Sequence, residues 1–345
     1  MKKPDTSTID QPWPEEELEH IERCPYCDSN QRTLAYKDVQ DWTFYCAPGM
    51  WDYWDCSQCE TLYLSPRPIE LSMGKAYSKY YTHNSKGKTL SDNIKIRLKN
   101  ECFYHWKNAD LIPRLNIPKS FSFFLLPFKT IIHVPFQIEA LVSLPKGKLL
   151  DVGCGSGEML VIAKRLGWQV TGLEIDPNAV KTAIAKGVNV ILGDYRKLKD
   201  IEESFDCIIS SHVIEHVHKP LELFDLFDKR LKSNGVLLLS LPNANSYVRA
   251  EFGPNWRGLE APRHLSIPTI KIIIKLLRHR GYLEINQVNV NGLTIPQSMK
   301  IKKRKLQVSF GDYFCWKLKE LFSTKIPKNE ECDFSQISAK KSSQK

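Results

Sequence analysis

The stretch KLLDVGCGSGE, at positions 148–158, constrains the fold of this chain more than any other. An apolar strand carries an acid at Asp151, and three glycines follow at alternate positions: Gly153, Gly155 and Gly157. Glycine adopts positive φ easily and lets a ligand approach the backbone closely. A helix is expected to begin directly afterwards, at Glu158. A strand that enters such a turn and continues into a helix is typical of a nucleotide-binding site.

Downstream of this turn, strand and helix patterns alternate. The predicted strands are WQVTGLEID, GVNVILGDY, FDCIISS, VLLLSLPN, and a last pair formed by GYLEINQVNV and NGLTI. Asp176 and Pro177 suit the N-cap and first turn of an intervening helix. This alternation predicts an α/β fold with a Rossmann-like, doubly wound, mostly parallel sheet of seven strands, which binds ligands at the carboxyl ends of its strands.

Two Cys-x-x-Cys pairs precede this region: Cys24 with Cys27, and Cys56 with Cys59. Each pair can form a turn that directs two thiolates at one ion, so the two pairs together predict a closed tetrahedral zinc site in a small N-terminal ribbon. A thioredoxin-like redox pair is the alternative, but it needs a βαβ context that the aromatic-rich intervening residues do not supply.

The spacing GxGxG after an acid, with the motifs that follow it, resembles the class I S-adenosylmethionine (SAM)-dependent methyltransferases. The resemblance implies that Glu174 accepts the ribose hydroxyls and that Asp194 accepts the adenine amino group. Tyr195 would flank the adenine ring. Asp151 and the backbone amides between Gly153 and Gly157 would complete the cofactor site at the methionine part. By residue type alone, Asp194 is equally a turn acid.

Two further segments resemble a zinc-ribbon subgroup of these enzymes from sugar and cell-surface polysaccharide pathways. They are Pro-Arg-Pro at positions 66–68 and a signature at positions 242–265 that ends in Pro-Arg-His-Leu. The resemblance implies substrate contacts from Arg67, Trp256 and Arg263. His264 is the candidate general base, because a histidine near neutral pKa can take the proton of a hydroxyl nucleophile. Capping of the following helix is the alternative role.

The segment SSHVIEHVHKP places His212, Glu215 and His216 at i, i+3 and i+4, on one face of a helical turn. It resembles the Leu-Glu-His segment of ubiquinone-pathway O-methyltransferases, where an earlier acid, the Glu and the His can bind a divalent ion. Here His212 replaces that acid. These residues are either metal ligands or hydrogen-bonded residues of the pocket wall, and both are catalytic candidates.

Composition narrows the location and the partners. The 345 residues carry a net charge of +10, and 42% of them are hydrophobic, which suffices for a substantial core. No apolar run is long enough to span a bilayer and no signal peptide is evident, so we expect a cytoplasmic protein, with a peripheral membrane contact as an alternative. The basic C-terminal region fits anionic partners or a solvated tail.

The sequence thus predicts five regions: a flexible lead-in (1–20), the zinc ribbon (21–68), a helical connector or lid (69–147), the SAM-binding domain (148–295) and a basic, partly disordered tail (296–345). The apolar segment 120–142 is a lid, an interfacial element or a surface packed on the nucleotide domain. We predict methyl transfer to a small molecule, a sugar nucleotide or glycan derivative. An RNA or protein methyltransferase and a non-catalytic binding scaffold are the alternatives, although nucleic acid is not the favoured partner.

Overall fold

The computed structural model describes residues 5–77, 97–98, 100–101, 104–105, 114–118, 120, 136–290, 294–304 and 331–343. The strands in these residues are β1 (Leu18–Glu19), β2 (Arg32–Val39), β3 (Trp51–Cys56), β4 (Leu62–Leu64), β5 (Arg67–Pro68), β6 (Lys148–Val152), β7 (Gln169–Glu174), β8 (Asn189–Leu192), β9 (Phe205–Ser211), β10 (Leu231–Pro242), β11 (Ser266–Ile267), β12 (Tyr282–Val290) and β13 (Phe334–Lys341). The α-helices are α1 (Phe136–Ser143), α2 (Glu158–Arg165), α3 (Pro177–Ala185), α4 (Pro220–Arg230), α5 (Tyr247–Phe252), α6 (Ile270–His279) and α7 (Ile295–Lys303).

The chain forms two compact units, each assembled from segments that are distant in sequence. The ribbon unit consists of Met1–Tyr80, His212–Asp225 and Leu239–Ile337. The glycine-loop unit consists of Tyr81–Ser211, Leu226–Leu238 and Ser338–Lys345. These units differ from the contiguous regions that the sequence predicts, because residues after β9 and β10 join the N-terminal segment in one unit.

The glycine-loop unit contains the parallel part of the main sheet. Strand β6 pairs in parallel with β7 on one side and β9 on the other, and β7 pairs in parallel with β8. Gly172 in β7 lies opposite Asp151, and a Cβ atom there would lie only 2.6 Å from Cys154 Sγ and 2.7 Å from Leu160 Cδ1. A glycine is therefore required inside this strand so that the turn and α2 can pack closely on the sheet.

The predicted start of the helix after β7 is confirmed. Asp176 has extended backbone dihedrals, and its side chain accepts a hydrogen bond of 2.9 Å from the Asn178 amide. Pro177 occupies the first helical position, where a missing amide hydrogen costs nothing. Local capping thus fixes the point where α3 leaves the carboxyl end of β7.

The ribbon unit is built on a four-stranded sheet with the order β11-β4-β3-β2. Trp51 and Tyr53 of β3 are buried, and the Tyr53 hydroxyl lies 2.6 Å and 3.0 Å from the carbonyl oxygens of Leu259 and His264. Strand β11, which follows the Pro-Arg-His-Leu signature, pairs antiparallel with β4. The ribbon therefore shares its sheet and its core with residues some 200 positions later in the chain, whereas we expected a separate small module.

Seven strands form the main sheet of the described residues, in the order β12-β13-β10-β9-β6-β7-β8. This confirms the predicted fold class and strand number. The identity of the last strand was wrong, however. Thr294 and Ile295 of NGLTI precede and begin α7, while β13 comes from the tail that we expected to be disordered. A short polar strand such as FSQISAKK lacks the apolar run on which that prediction relied.

The apolar segment 120–142 is only partly covered by the described residues. Positions 121–135 of the segment lie outside the described residues, and its last part forms α1, with Ile138 and Leu141 buried. No helix among the described residues combines the length and apolar character needed to cross a membrane.

Candidate active site

The glycine turn bends the chain sharply between β6 and α2. Gly153, Gly155 and Gly157 all have positive φ, with values of 74°, 54° and 76°. We expected their amides to face the methionine part of a cofactor. Instead, the Gly153 amide donates to the Leu173 carbonyl at 2.8 Å, and the Gly157 amide donates to the Cys154 carbonyl at 3.0 Å. These two glycines therefore shape the turn through hydrogen bonds within the protein.

Gly155 has different surroundings from Gly157. A Cβ atom at Gly155 would meet no heavy atom within 4 Å, whereas one at Gly157 would lie 2.9 Å from Ala183 Cβ and 3.0 Å from Val188 Cγ2. The backbone of Gly155 thus borders open space at the carboxyl end of β6, where a ligand can approach it.

Glu174 ends β7 and closes the same turn. Its Oε2 atom accepts a hydrogen bond of 2.8 Å from the Gly155 amide, and its Oε1 atom accepts from the amides of Ile175 and Asp176 at 2.8 Å and 2.9 Å. Three backbone donors hold this carboxylate in one orientation, although it is only 8% exposed. Ile175, which follows, is 67% exposed and offers an apolar surface beside it. The Glu174 carboxylate suits the hydroxyls of a ribose, and the apolar surface of Ile175 suits the flat base of a nucleoside.

Asp151 lies inside β6 and is buried. Burial, reinforced by the negative charge of Glu174, raises the pKa of its carboxyl group to about 8. Asp151 is therefore largely protonated at neutral pH. A protonated carboxyl group can donate a hydrogen bond to an amine or a carboxylate. The predicted role of Asp151 in cofactor binding stays a prediction.

Asp194 caps the 3-10 turn Tyr195–Lys199, which makes it the turn acid that its residue type suggested. Its carboxylate accepts hydrogen bonds from the Arg196 amide at 2.8 Å and from Arg196 Nη2 at 2.6 Å. These bonds to Arg196 hold its pKa below the ordinary value despite partial burial. Tyr195 is buried. The roles of Asp194 and Tyr195 toward adenine stay predictions.

The ribbon unit contains a second group of titratable side chains. Glu215 and His216 lie on the 3-10 turn Ile214–His216, not on an α-helix, and the preceding His212 has a positive φ of 55°. The side chain of His212 is half exposed, and its Nδ1 atom lies 3.2 Å from Glu215 Oε1. The i, i+3, i+4 geometry of a helix is therefore not formed here.

His264 takes the place beside Glu215 and His216 that the sequence assigned to His212. One donor atom each from Glu215, His216 and His264 lie within 4.8 Å of one another. The rings of His216 and His264 meet edge to face with their centroids 4.6 Å apart. Burial, together with the positive form of the neighbouring His216, lowers the pKa of His264 to about 4. The imidazole is neutral at pH 7 and available as an acceptor, but it is a weak base.

Glu260 completes this group and was missed by sequence reasoning. It lies in the left-handed region, with φ 39° and ψ 43°, and forms ion pairs with Arg257 and with Arg263, the latter at 3.4 Å. Its Oε2 atom is 3.6 Å from His264 Nε2. Burial opposes ionisation, but the charges of Arg257, His264 and Arg263 outweigh it and hold the pKa of Glu260 at about 2. A strained non-glycine backbone is a feature of functional sites.

Arg263 is fully buried and is held by a residue of the ribbon. Its guanidinium pairs with Asp41, which is also buried, and Nη1 donates to the Ala76 carbonyl at 2.7 Å. Asp41 in turn accepts hydrogen bonds from the amides of Phe44 and Cys46 at 3.1 Å and 3.0 Å. Burial would lower the pKa of Arg263, but Asp41 outweighs it. This guanidinium is engaged within the fold, whereas we expected it to face an anionic substrate group.

The other predicted substrate residues are also committed to contacts inside the ribbon unit. Arg67 pairs with Glu19 at 2.8 Å and approaches the His218 carbonyl at 3.3 Å. Trp256 is 1% exposed, and its indole nitrogen lies 3.3 Å from Asp333 Oδ1. In this arrangement Arg67 has the ion-pair role that is commoner for a single arginine, and Trp256 belongs to the core. Their contacts with a substrate stay predictions.

The four ribbon cysteines come together as predicted. Their sulfur atoms all lie within 4.8 Å of one another, and the Cys24–Cys59 and Cys27–Cys56 pairs are each 3.5 Å apart. A tetrahedral zinc ion with bonds of roughly 2.3 Å requires sulfur atoms about 3.8 Å apart, so the cluster fits such an ion.

Both cysteine turns have the same backbone design. The amide of the first cysteine donates to the carbonyl five residues later, and the amide four residues later donates back to the carbonyl of that cysteine, at 2.9–3.0 Å. Asp28 and Glu60 occupy the corresponding left-handed positions, with φ 59° and 60°. Matching turns point both thiol pairs at one site.

Comparison with known proteins adds the family. A methyltransferase-domain family matches residues 134–285. The chain is 35% identical over 114 residues to a ubiquinone biosynthesis O-methyltransferase of Xanthomonas campestris pv. campestris, which covers 31% of this chain and 47% of that protein. It is 32% identical over 191 residues to a ubiquinone biosynthesis O-methyltransferase of Cereibacter sphaeroides, and this alignment covers 52% of this chain and 75% of that protein. The chain therefore spans about half the length of the Xanthomonas relative.

Solved structures similar to this chain include a SAM-dependent methyltransferase from Archaeoglobus fulgidus, with 20% identity, a TM-score of 0.41, and coverage of 64% of this chain and 99% of that one. A possible histamine N-methyltransferase from Thermotoga maritima has 18% identity and the same TM-score, over 64% of this chain and 94% of that one. From the match to three quarters of the Cereibacter relative, we conclude that this chain belongs to the class I SAM-dependent methyltransferases.

Proposed function

We propose that the protein transfers a methyl group from SAM to a small-molecule acceptor. The observation that carries this proposal is the fixed carboxylate of Glu174, which lies beside the open backbone of Gly155 at the carboxyl ends of β6 and β7. In a parallel α/β sheet, this edge is where a nucleoside ligand binds. When bound, SAM supplies a methyl group on a cationic sulfur, which needs no activation by the protein.

The residues of the glycine-loop unit would bind and orient the cofactor. Glu174 has accepting capacity left for the ribose hydroxyls, because each carboxylate oxygen accepts at more than one position. Ile175 would cover one face of the adenine. Both oxygens of the Asp194 carboxylate accept from Arg196, and the second lone pair of either oxygen would accept from the adenine amino group. Alignment and exclusion of water are then the main contributions of the protein to an in-line displacement.

The acceptor class is a further part of the proposal. We infer a sugar nucleotide or glycan derivative, and the support is the resemblance of the Pro-Arg-Pro and Pro-Arg-His-Leu segments to enzymes of polysaccharide pathways. The curated relatives are named for ubiquinone biosynthesis, and this name favours a phenolic hydroxyl as the competing acceptor class. We infer that the four-cysteine cluster holds a structural zinc ion.

Cofactor binding is tested by calorimetry with SAM and its demethylated product on full-length protein. Glu174→Gln replaces one acceptor oxygen with an amide group that faces backbone N–H donors, so we expect affinity to fall at least about tenfold. Glu158→Gln is the matched control, because Glu158 lies on the exposed side of α2 and pairs only with Lys186 among its described ion pairs. Equal affinity in the two variants would remove Glu174 from the cofactor site.

The acceptor is tested with labelled SAM and a panel of nucleotide sugars, glycan lipids and phenolic compounds, followed by mass analysis of the products. Methylation of a nucleotide sugar or glycan lipid would support the proposed class. Methylation of phenols alone would contradict it and leave the methyltransferase function intact. An absence of SAM uptake by zinc-loaded, folded protein would contradict the function itself.

A further inference from the structure

The group formed by Glu215, His216 and His264 differs from the metal-binding segment that the sequence suggests. That segment would use His212, Glu215 and His216, whereas the structure brings in His264 from beyond β10. His212 is half exposed and contacts Glu215 through a hydrogen bond. The three clustered residues all belong to the ribbon unit and are separate from the cysteine cluster.

Hydrogen bonds to backbone carbonyls fix the proton on both imidazole rings. Nδ1 of His264 lies 2.6 Å from the Gly258 carbonyl oxygen, and Nδ1 of His216 lies 3.1 Å from the Arg263 carbonyl oxygen. A carbonyl oxygen can only accept, so each Nδ1 carries the hydrogen. The Tyr77 hydroxyl also lies 3.1 Å from this His216 atom. Both rings are then left with an Nε2 lone pair, which is the arrangement of metal-binding histidines.

Glu215 supplies an acceptor that the protein leaves unused. The residue is completely buried, and its Oε2 atom is among the buried side-chain atoms of the described residues that have no hydrogen-bond partner. The other oxygen of the carboxylate lies 3.2 Å from His212 Nδ1. An unpartnered buried carboxylate oxygen is costly unless a ligand completes it.

The charges around the cluster also favour a cation. Asp41 is paired with Arg263, and Glu260 is paired with Arg257 and shares Arg263, so these carboxylates are neutralised by the two guanidiniums. Glu215 is left with His212 as its partner, and that side chain is half exposed to solvent. A buried negative charge beside two lone pairs on neutral rings is a site for a positive ion.

We propose that Glu215, His216 and His264 bind a divalent first-row transition-metal ion. Two imidazole nitrogens and one carboxylate oxygen favour an ion such as zinc, manganese, iron or cobalt over magnesium, which prefers oxygen ligands. Three protein ligands leave coordination positions for oxygen donors. Binding of an acceptor hydroxyl at one of them would rest on the proposed methyl transfer, whereas binding of the ion does not depend on it.

The test uses full-length protein whose cysteine cluster has been filled with zinc. The protein is titrated with cobalt(II) by calorimetry, and the zinc and cobalt retained after dialysis are counted by mass spectrometry. We expect one equivalent of cobalt in addition to the zinc. Glu215→Gln and His264→Gln should each weaken cobalt binding by about 100-fold or more, since each removes a ligand from the ion.

Two histidine variants serve as controls. His218→Gln changes a histidine of the same segment whose Nε2 atom is bound to the Pro68 carbonyl, outside the cluster. His212→Gln removes the residue that the sequence pattern suggested in place of His264. His218→Gln should bind cobalt as the wild type does. His212→Gln removes a hydrogen bond to Glu215 and not a ligand, so it should weaken cobalt binding by about 10-fold, less than His264→Gln does. Loss of binding in His212→Gln with retention in His264→Gln would overturn the proposed ligands.

X-ray absorption at the cobalt edge on the wild type provides a result that does not depend on the folding of variants. A shell of nitrogen and oxygen neighbours that includes imidazole would support the site. A shell of sulfur neighbours would place the cobalt in the cysteine cluster and overturn the proposal. Failure of the zinc-loaded wild type to take up cobalt would also overturn it.

Discussion

Gly155 and Gly157 have the same left-handed backbone but different neighbours, so alanine substitution should separate the two roles of the glycine turn. Alanine in this conformation costs roughly 1–2 kcal/mol at either position. At Gly157, the added methyl group must also displace Ala183 or Val188. We therefore expect Gly157→Ala to reduce the free energy of unfolding by about 3 kcal/mol or more, and Gly155→Ala by the conformational cost alone.

Urea unfolding of the two alanine variants measures this difference, and calorimetry with SAM measures the other half of the prediction. Because a methyl group at Gly155 would enter the open space beside Glu174, Gly155→Ala should lose cofactor affinity at a modest cost in stability. If Gly155→Ala binds SAM as tightly as the wild type, the ligand does not approach the turn at this residue.

The positions of Glu174 and Asp194 at the carboxyl edge of the sheet were predictable, because each lies at or just after the end of a strand. Glu174 is the last residue of β7 and Asp194 lies two residues after β8, and the apolar runs of both strands are visible in the sequence. Asp41 gave no such signal, since its partner Arg263 lies 222 positions away. Glu260 gave none either, since its role depends on how the fold places Arg257, Arg263 and His264 around it. The positive φ of Glu260 was equally hidden, because only the surrounding structure makes a glutamate adopt it.

At the level of elements, the cysteine turns are expected to control the order of the ribbon sheet. Removal of zinc with a chelator, or Cys56→Ser, should unfold β2, β3 and β4, because such small zinc sites contribute folding free energy directly. Trp51 is buried in this sheet, so its fluorescence should shift to longer wavelength on exposure to water. Cys46→Ser is the matched control, since Cys46 is buried in the same region outside the cluster. An unchanged spectrum after complete zinc removal would contradict this expectation.

Strand β13 should be essential although its sequence resembles a polar tail. Asp333, directly before it, accepts hydrogen bonds from the Thr294 amide and hydroxyl at 2.8 Å and 2.7–2.8 Å, and from the Trp256 indole. Its side chain is fully buried. Asp333→Ala leaves these donors without an acceptor, so we expect a loss of about 3–5 kcal/mol in the free energy of unfolding.

Truncation provides the companion to Asp333→Ala. A chain that ends at residue 330 lacks β13 and should be recovered as aggregate, because the neighbouring strands β10 and β12 become exposed edges. A chain that ends after Lys341 keeps the strand and should remain folded. Far-ultraviolet circular dichroism and size-exclusion chromatography distinguish the two. A folded protein that ends at residue 330 would show that β13 is dispensable.

At the level of the whole molecule, local patterns predicted the glycine-loop unit far better than the ribbon unit. Strands β6 to β9 are formed by consecutive segments with their own apolar runs and turn signals. The ribbon unit instead depends on pairing between β4 and β11 and on a core that joins Trp51 to Trp256. Such contacts between distant segments leave no periodic signal in a single sequence.

The stability of the molecule should also depend on pH through Asp151. Its pKa is about 8 in the folded protein, against an ordinary value of 3.8, because burial and Glu174 disfavour the charged form. Between these two values the folded state holds the proton more tightly than the unfolded state does. Stability from this group is therefore present at low pH and is lost as the pH rises toward 8.

Asp151→Asn removes the titration but keeps the size of the side chain. Each pH unit inside the window changes the free energy of unfolding by at most about 1.4 kcal/mol, so the variant should gain up to about 2.5 kcal/mol on the wild type between pH 6 and pH 8. Urea unfolding of both proteins at these two pH values measures the difference. Other titrating groups are common to both proteins and cancel in this comparison. A constant difference would mean that Asp151 is ionised in the folded state, and its carboxylate would then need a cation or hydrogen-bond donors inside β6.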